Sequence, residues 1–288
     1  MNSSAGAIRS IAIILVVAGL LIWAGSPGSE VVWGWPLFAL CGLLAFGINW
    51  IVFIPSYIAQ TEHYFDLTGS LTYLGLLVFV LVLGDAVDAR AILLAVMVGI
   101  WAVRLGSFLF RRVREDGSDG RFDAIKPDFA RFLMAFTLQG LWVFLTLSCA
   151  LAAMTSIQAV SLGGFAVLGG LLFALGFTVE VVADRQKRAF RGDPENRDRF
   201  IATGLWARSR HPNYAGEITL WIGIAFVAFP ALSGWQYVTL ISPVFVFVLL
   251  TRISGIPLLE ARGKKKWGED PAYRAYREST PLLFPYGR

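Results

Sequence analysis

Residues 203–217 place two arginines, a histidine, an asparagine, a tyrosine and a glutamate directly in front of an apolar run, Ile218 to Pro230. Polar side chains at the mouth of a membrane span are costly to desolvate. They persist there when they pair with one another, face water or hold a charged ligand. This stretch is therefore the first candidate for binding chemistry. Its candidate residues are Arg210, His211, Asn213, Tyr214 and Glu217.

The wider pattern of charges suits a dinucleotide. Carboxylates and an amide are mixed with arginines in segments 115–128 and 180–198. Arginine binds phosphates in a bidentate manner, carboxylates accept hydrogen bonds from ribose hydroxyls, and asparagine pairs with amides. Two simpler interpretations stay open: arginines also set membrane topology and bind anionic head groups, and a structural ion-pair network has the same composition.

Helical spacing brings several of these residues together. Glu180 and Asp184 lie four residues apart near the end of one apolar run, and Asn213 and Glu217 lie four apart at the start of another. Arg104 lies within a span and should face the bundle interior beside an acidic partner. Pro212 favours extended backbone before it and a helix restart near Asn213. The free N–H groups of that helix end would favour an anion.

The composition indicates an integral membrane protein. Apolar residues make up 56% of the chain and charged residues only 16%, against about 45–50% and about 25% in soluble domains. The net charge of +5 is confined to segments between apolar runs, so it does not indicate nucleic-acid binding. Cys41 and Cys149 sit inside apolar runs, and with only two histidines the sequence predicts no disulfide and no metal site.

Apolar runs predict an all-α transmembrane bundle with about seven to eight spans. The first run is interpreted as a transmembrane helix rather than a signal peptide. With no internal repeat or linker, residues 1–288 are predicted to form one domain. The predicted spans are 8–24, 33–54, 69–84, 91–110, 132–154, 160–183, 216–231 and 236–254.

Charge asymmetry predicts the orientation. Basic residues concentrate in segments 111–131, 185–210 and 252–288, whereas the opposite connections carry one, Arg90. Basic loops stay in the cytoplasm. Eight crossings then place both termini on the cytoplasmic side.

An ordered series of motifs resembles the bacterial membrane proteins of the steroid 5α-reductase-like family, a domain long labelled as of unknown function. The resemblance covers roughly residues 60–286, and residues 1–60 add extra N-terminal spans. The matching pieces are 101–106 with Arg111 and Arg112, 119–123, Gln139-Gly140, Glu180, Asp184, Gln186, Phe190, Pro194, Asn196-Arg197, 204–206, 209–214, Gly216-Glu217, 254–260, Tyr273 and Tyr276.

The resemblance implies a helical bundle in a bacterial cytoplasmic membrane whose C-terminal half holds NADPH from the cytoplasmic side. A lipophilic, sterol-like or isoprenoid-like substrate would enter from the membrane lipids, and hydride would pass to the β-carbon of an enone. Many arginines would serve the phosphates of the cofactor. Carried onto this chain, the cofactor residues would be Arg104, Arg121, Asp184, Arg191, Asn196, Arg199, Arg210, His211, Asn213, Tyr214 and Glu217.

The chain departs from the steroid reductases where they hold the substrate carbonyl. Trp101 takes the place of their tyrosine, and its indole cannot supply a proton. Their glutamate has no clear equivalent, so the polar segment 60–68 becomes the substitute, with Asp66 and Tyr64 as candidate acids. The simpler explanation, which the sequence favours slightly, is that both are polar residues facing water at the end of a span.

Two other functions stay open. The Arg-His-Pro-x-Tyr core also occurs in isoprenylcysteine carboxyl methyltransferases, whose cofactor, S-adenosylmethionine, has no phosphates and needs fewer arginines. A non-enzymatic transporter or lipid-binding protein is the third hypothesis, although no paired broken helices are found. Glu260 either braces the cofactor pocket or pairs with Arg262 or Lys264.

Overall fold

The computed structural model describes residues 4–85, 87–116, 120 and 122–285, and the backbone alone for 108–116. This part of the chain is mostly helical, and the long connection at residues 193–211 contains two 3₁₀ turns, Pro194–Asn196 and Gly204–Ala207. The α-helices are α1 (Ser4–Gly25), α2 (Leu37–Ile58), α3 (Phe65–Leu83), α4 (Ala89–Asp116), α5 (Phe129–Met154), α6 (Gly164–Gly192), α7 (Pro212–Ala228), α8 (Ile241–Val248), α9 (Ile256–Trp267) and α10 (Pro271–Ser279). One hairpin pairs strands β1 (Val31–Val32) and β2 (Trp35–Pro36).

The predicted fold class is confirmed. The structure is 76% helical, and within the described residues eight helical segments are long and apolar enough to cross a membrane. The last of them, Gly234–Trp267, joins a 3₁₀ segment, α8, a π-helical turn at Leu249–Ile253 and α9. The protein is therefore an integral membrane protein of helical architecture.

Several helix ends lie beyond the predicted boundaries. Helix α3 begins at Phe65 rather than at residue 69, because Phe65 packs edge-on against Phe136. Helix α6 continues to Gly192 rather than stopping at 183, since no glycine or proline interrupts its charged end. Helix α7 starts at Pro212, which agrees with the predicted restart near Asn213. Proline is well suited to the first position of a helix.

Backbone contacts divide the chain into two compact units: unit 1 comprises Met1–Ala166 and Ile224–Ser242, and unit 2 comprises Val167–Gly223 and Pro243–Arg288. In unit 1, α5 is central, and every residue from Val143 to Met154 is buried. A helix that is apolar all round belongs in such a core. The prediction of a single domain stays a prediction, because compactness alone does not define independent folding.

Within unit 1, one guanidinium joins the last turn of α7 to the loop between α5 and α6. Arg90 is 1% exposed, and it donates to the carbonyl oxygens of Val227, Ser161 and Val160. Among the described residues no carboxylate forms an ion pair with Arg90, and its burial is tolerated because these carbonyl oxygens accept hydrogen bonds from its N–H groups. The one basic residue of the predicted outer connections is thus a structural clamp.

In unit 2, α6 and α7 approach through glycines. A Cβ added at Gly216 would lie 2.6 Å from the carbonyl oxygen of Gly176, and one added at Gly223 would lie 2.6 Å from that of Gly169. Small residues let membrane helices pack backbone to backbone. The contacts recur after seven residues on both helices, which holds the charged end of α6 against the start of α7.

Candidate functional site

The centre of the site is the carboxylate of Glu260 on α9. Its Oε2 atom accepts from Arg210 Nη1 at 2.7 Å and from Arg277 Nε at 3.2 Å, and its Oε1 atom lies 3.0 Å from His211 Nε2. The Glu260 and Arg210 side chains are 20% and 15% exposed. Charge-assisted hydrogen bonds of this kind are stronger than neutral ones. Glu260 therefore ties the start of α7 to α9 and α10.

The contact with Glu260 assigns the tautomer of His211. An ionised carboxylate only accepts, so Nε2 carries the proton. Burial lowers the pKa of His211, with the hydrogen bond to Glu260 opposing that shift. The neutral ring then presents Nδ1 as an acceptor, and Nδ1 is buried without a hydrogen-bond partner in the described part of the chain. The ring of Tyr214 stacks on it at 5.9 Å between centroids.

Local structure explains why these side chains meet. The carbonyl of His211 accepts the N–H of Ala215, so His211 takes the N-cap position of α7. Its own N–H donates to Ser209 Oγ at 3.2 Å. The N–H of Arg210 donates to the carbonyl of Pro281 at 2.9 Å, which holds the C-terminal segment next to the start of α7.

A cleft of about 120 Å³ opens beside Glu260. Aromatic rings form much of its wall: the Phe200 ring lies 5.0 Å from Tyr273 and 5.4 Å from Tyr276, and Tyr276 Oη donates to the carbonyl of Trp206. A side chain at Gly263 would collide with the Tyr273 hydroxyl. The lining residues are Lys187, Phe190, Arg191, Arg199, Phe200, Ile201, Trp206, Arg210, His211, Leu259, Glu260, Gly263, Trp267, Tyr273 and Tyr276.

The cleft is positively charged. Four lining cations, Lys187, Arg191, Arg199 and Arg210, face one lining carboxylate, Glu260, which leaves a net charge of +3 with His211 neutral. Lys187 Nζ lies 4.8 Å above the Trp206 ring, a cation–π geometry. Pockets that enclose whole small molecules measure roughly 300–1,000 Å³, so this cleft is large enough to enclose only part of such a molecule.

Four of the predicted cofactor residues line this cleft: Arg191, Arg199, Arg210 and His211. The others in unit 2 lie outside its lining. Asp184 is half-buried on α6, Asn196 donates to Asp193 in a 3₁₀ turn, and Glu217 is half-buried on α7. Asn213 Oδ1 is buried without a hydrogen-bond partner among the described residues.

The remaining predicted residues belong to unit 1. Tyr64 is 59% exposed at the N-cap of α3, and Asp66 is half-buried in its first turn. Arg104 is half-buried on α4, and Arg121 lies outside the described residues. Their roles stay predictions. Trp101 is buried with its ring edge-on to Tyr73 at 5.1 Å.

Sequence reasoning missed several residues of the cleft. Lys187 lines the cleft and Arg277 contacts Glu260 without being part of the lining, and the sequence indicates both only as members of basic segments. Glu260 pairs with neither Arg262 nor Lys264 but with Arg210, His211 and Arg277, which are 50, 49 and 17 residues away. In segment 60–68 the buried acid is Glu62, whose Oε2 lies 2.7 Å from Lys126 Nζ. The apolar run before Glu260 was the available signal for its burial.

Comparison with known proteins gives a family without an assigned activity. Residues 52–280 match a family model described as "Protein of unknown function (DUF1295)". An uncharacterized protein of Schizosaccharomyces pombe is 25% identical over 226 residues, covering 68% of this chain and 63% of that protein. The chain thus spans less than two thirds of this relative. No solved structure matches.

The match begins in α2 and ends just after α10, so it includes the whole of the Glu260 cleft. The chain belongs to the DUF1295 family, a membrane family related to the steroid 5α-reductases.

Proposed function

We propose that this protein is an NADPH-dependent reductase that saturates a C=C bond, of the enone type, in a lipophilic sterol-like or isoprenoid-like substrate. The observation that carries the proposal is the Glu260 cleft. Its net charge of +3 and its aromatic walls suit a phosphorylated, ring-bearing ligand. The relationship of the family to the steroid 5α-reductases is consistent with this chemistry.

The donors and acceptors of the site fit such a ligand. Arg191 and Arg199 are exposed at the cleft and would contact phosphates. Arg210 already contacts Glu260 through Nη1, and its Nε atom is buried without a partner among the described residues. The acceptors His211 Nδ1 and Asn213 Oδ1 would receive hydrogen bonds from a carboxamide or a hydroxyl group.

When bound, NADPH would supply the hydride. The residues of this chain would hold and orient it. Glu260 fixes the positions of Arg210 and His211, and the neutral state of His211 keeps Nδ1 an acceptor. The hydride would add to the β-carbon of the enone and a proton to its α-carbon. Asp66 and Tyr64 remain the candidates for polarising the carbonyl.

Thermal stability of the purified protein tests the proposal. A ligand that binds only the folded state raises stability by RT ln(1 + [L]/Kd). We expect NADPH to raise the melting temperature more than NADH, because only NADPH carries the 2′-phosphate. Arg199→Gln should weaken NADPH binding by about tenfold or more, the loss expected for one charge-assisted hydrogen bond.

A matched control is available in Arg274. Its guanidinium is 55% exposed, it pairs with Glu269, and it is not part of the cleft lining, so Arg274→Gln should leave NADPH binding unchanged. A rise in melting temperature with S-adenosylhomocysteine but not with NADPH would establish the methyltransferase alternative instead. Stabilisation by neither ligand would favour a non-enzymatic lipid-binding or transport protein.

A further inference from the structure

The hairpin between α1 and α2 ends in two exposed tryptophans. Val31 pairs with Pro36 and Val32 with Trp35. The turn residues Trp33 and Gly34 have φ angles of 53° and 81°, as in a type I′ turn. Trp33 is 73% exposed and Trp35 is 61% exposed.

The backbone at Trp33 makes this residue choice unusual. A bulky side chain at positive φ is an outlier, and this turn position favours asparagine, aspartate or glycine. The indole does not compensate by burial, since most of its surface is exposed. The fold of the hairpin therefore does not account for tryptophan at this position, and a contact outside the protein would.

The base of the hairpin is held firmly. The N–H of Glu30 donates to the carbonyl of Thr155 at 2.7 Å, and its carboxylate accepts the N–H of Asp85 at 2.7 Å. The N–H of Leu37 returns to the carbonyl of Glu30 at 2.7 Å. The two indoles thus stand on a base that is tied to two neighbouring loops.

Two more exposed indoles lie at helix ends of the same unit. Trp23 near the end of α1 and Trp235 in the 3₁₀ segment Gly234–Leu240 are each 59% exposed, with ring centroids 5.1 Å apart. The hairpin itself, residues 31–36, carries no charged side chain. Exposed indoles at span ends are typical of the interface between water and lipid.

Helix lengths set the height of the hairpin. Helices α1 and α2 each have 22 residues, a length of about 33 Å, close to the ~30 Å hydrocarbon core. A two-residue strand adds about 7 Å. That reach matches the head-group layer of roughly 5–8 Å on each side of the core. The tip would therefore end within the interfacial layer and not in bulk water.

We propose that the hairpin is a lipid anchor whose Trp33 and Trp35 indoles insert into the head-group region of the adjacent bilayer leaflet. The occupant is a phospholipid interface. An uncharged amphipathic tip at this height fits that layer, and the firm base lets the indoles remain there without ordering a flexible loop.

Depth-dependent fluorescence quenching of the full-length protein tests this. A Trp33→Cys variant, labelled with an environment-sensitive dye, is placed in phosphatidylcholine vesicles that carry a nitroxide either at the head group or deep in the acyl chain. The native Cys41 and Cys149 are 0% exposed, so the dye attaches to the new thiol. We expect stronger quenching by the head-group nitroxide and a blue-shifted emission.

Two variants calibrate the depth. Val16→Cys on α1 is 62% exposed in mid-span and should be quenched more by the deep nitroxide. Ala275→Cys on exposed α10 should be quenched by aqueous iodide. Trp35→Cys serves as the second hairpin position if Trp33→Cys fails to fold. A hairpin label that is quenched by aqueous iodide, as the Ala275→Cys label is expected to be, would overturn the proposal. A hairpin label that no quencher reaches would also overturn it, because the tip would then be covered by protein and not by lipid.

Discussion

The Glu260 carboxylate neutralises part of the charge of two arginines and fixes a histidine, so its removal should have local and measurable effects. Glu260→Gln keeps the shape but leaves Arg210 and Arg277 without their anionic partner. We expect unfolding to become easier by about 1.5–3 kcal/mol, the range for hydrogen bonds to charged groups. Chemical denaturation measures the change. Glu269→Gln is the control, since that carboxylate is fully exposed and its loss should be undetectable.

His211 predicts a pH dependence of stability. Burial lowers its pKa in the folded protein, so as the pH falls below about 6.5 the unfolded chain takes up the proton first. Stability is thus present above that pH and is lost as the pH falls through the folded-state pKa. His211→Gln should show a smaller drop in melting temperature between about pH 7.5 and about pH 5.5.

The other histidine is the control for this experiment. His63 is exposed, and His63→Gln should retain the pH response of the wild type. An identical pH response in His211→Gln and wild type would contradict a buried neutral imidazole at position 211.

At the scale of elements, α6 and α7 depend on having no side chain at their contact. Gly216→Ala would place a methyl group 2.6 Å from the Gly176 carbonyl oxygen. Because the backbones cannot yield cheaply, we expect destabilisation of about 1–3 kcal/mol, as for overpacked cores. Thermal unfolding of the two proteins in one detergent gives the comparison.

Gly170 provides the matched glycine on α6. A Cβ added there meets nothing within 4 Å. Gly170→Ala should be neutral or stabilising by up to ~1 kcal/mol, because alanine is the better helix former. Equal effects of the two substitutions would rule out the close contact as the reason for glycine at position 216.

Span prediction and site prediction succeeded to different degrees. The eight spans follow from local hydrophobicity, which each run carries by itself. Glu260 meets Arg210 across fifty residues of sequence, and Lys126 meets Glu62 across sixty-four, so no local pattern could have paired them. Hydrophobicity predicts the end of α6 too early, because the charged residues after the apolar run continue the helix to Gly192.

For the whole molecule, the asymmetry of basic residues predicts that both termini lie in the cytoplasm. The orientation stays a prediction, and Arg90, the one basic residue of the predicted outer connections, is buried in a structural role. Epitope tags at either end should resist protease added outside sealed cells and be cleaved after lysis. Cleavage of one tag in intact cells would require an odd number of crossings.

The Arg90 clamp has a further consequence for acid tolerance. A guanidinium does not lose its proton at any physiological pH, and a peptide carbonyl gains none. The hydrogen bonds of Arg90 to the backbone are therefore independent of pH in this range. The contacts of Glu260 with Arg210, His211 and Arg277, by contrast, weaken once its carboxylate is protonated. Strong acid should therefore loosen the Glu260 cleft before it breaks the hydrogen bonds of Arg90 to its three carbonyl oxygens.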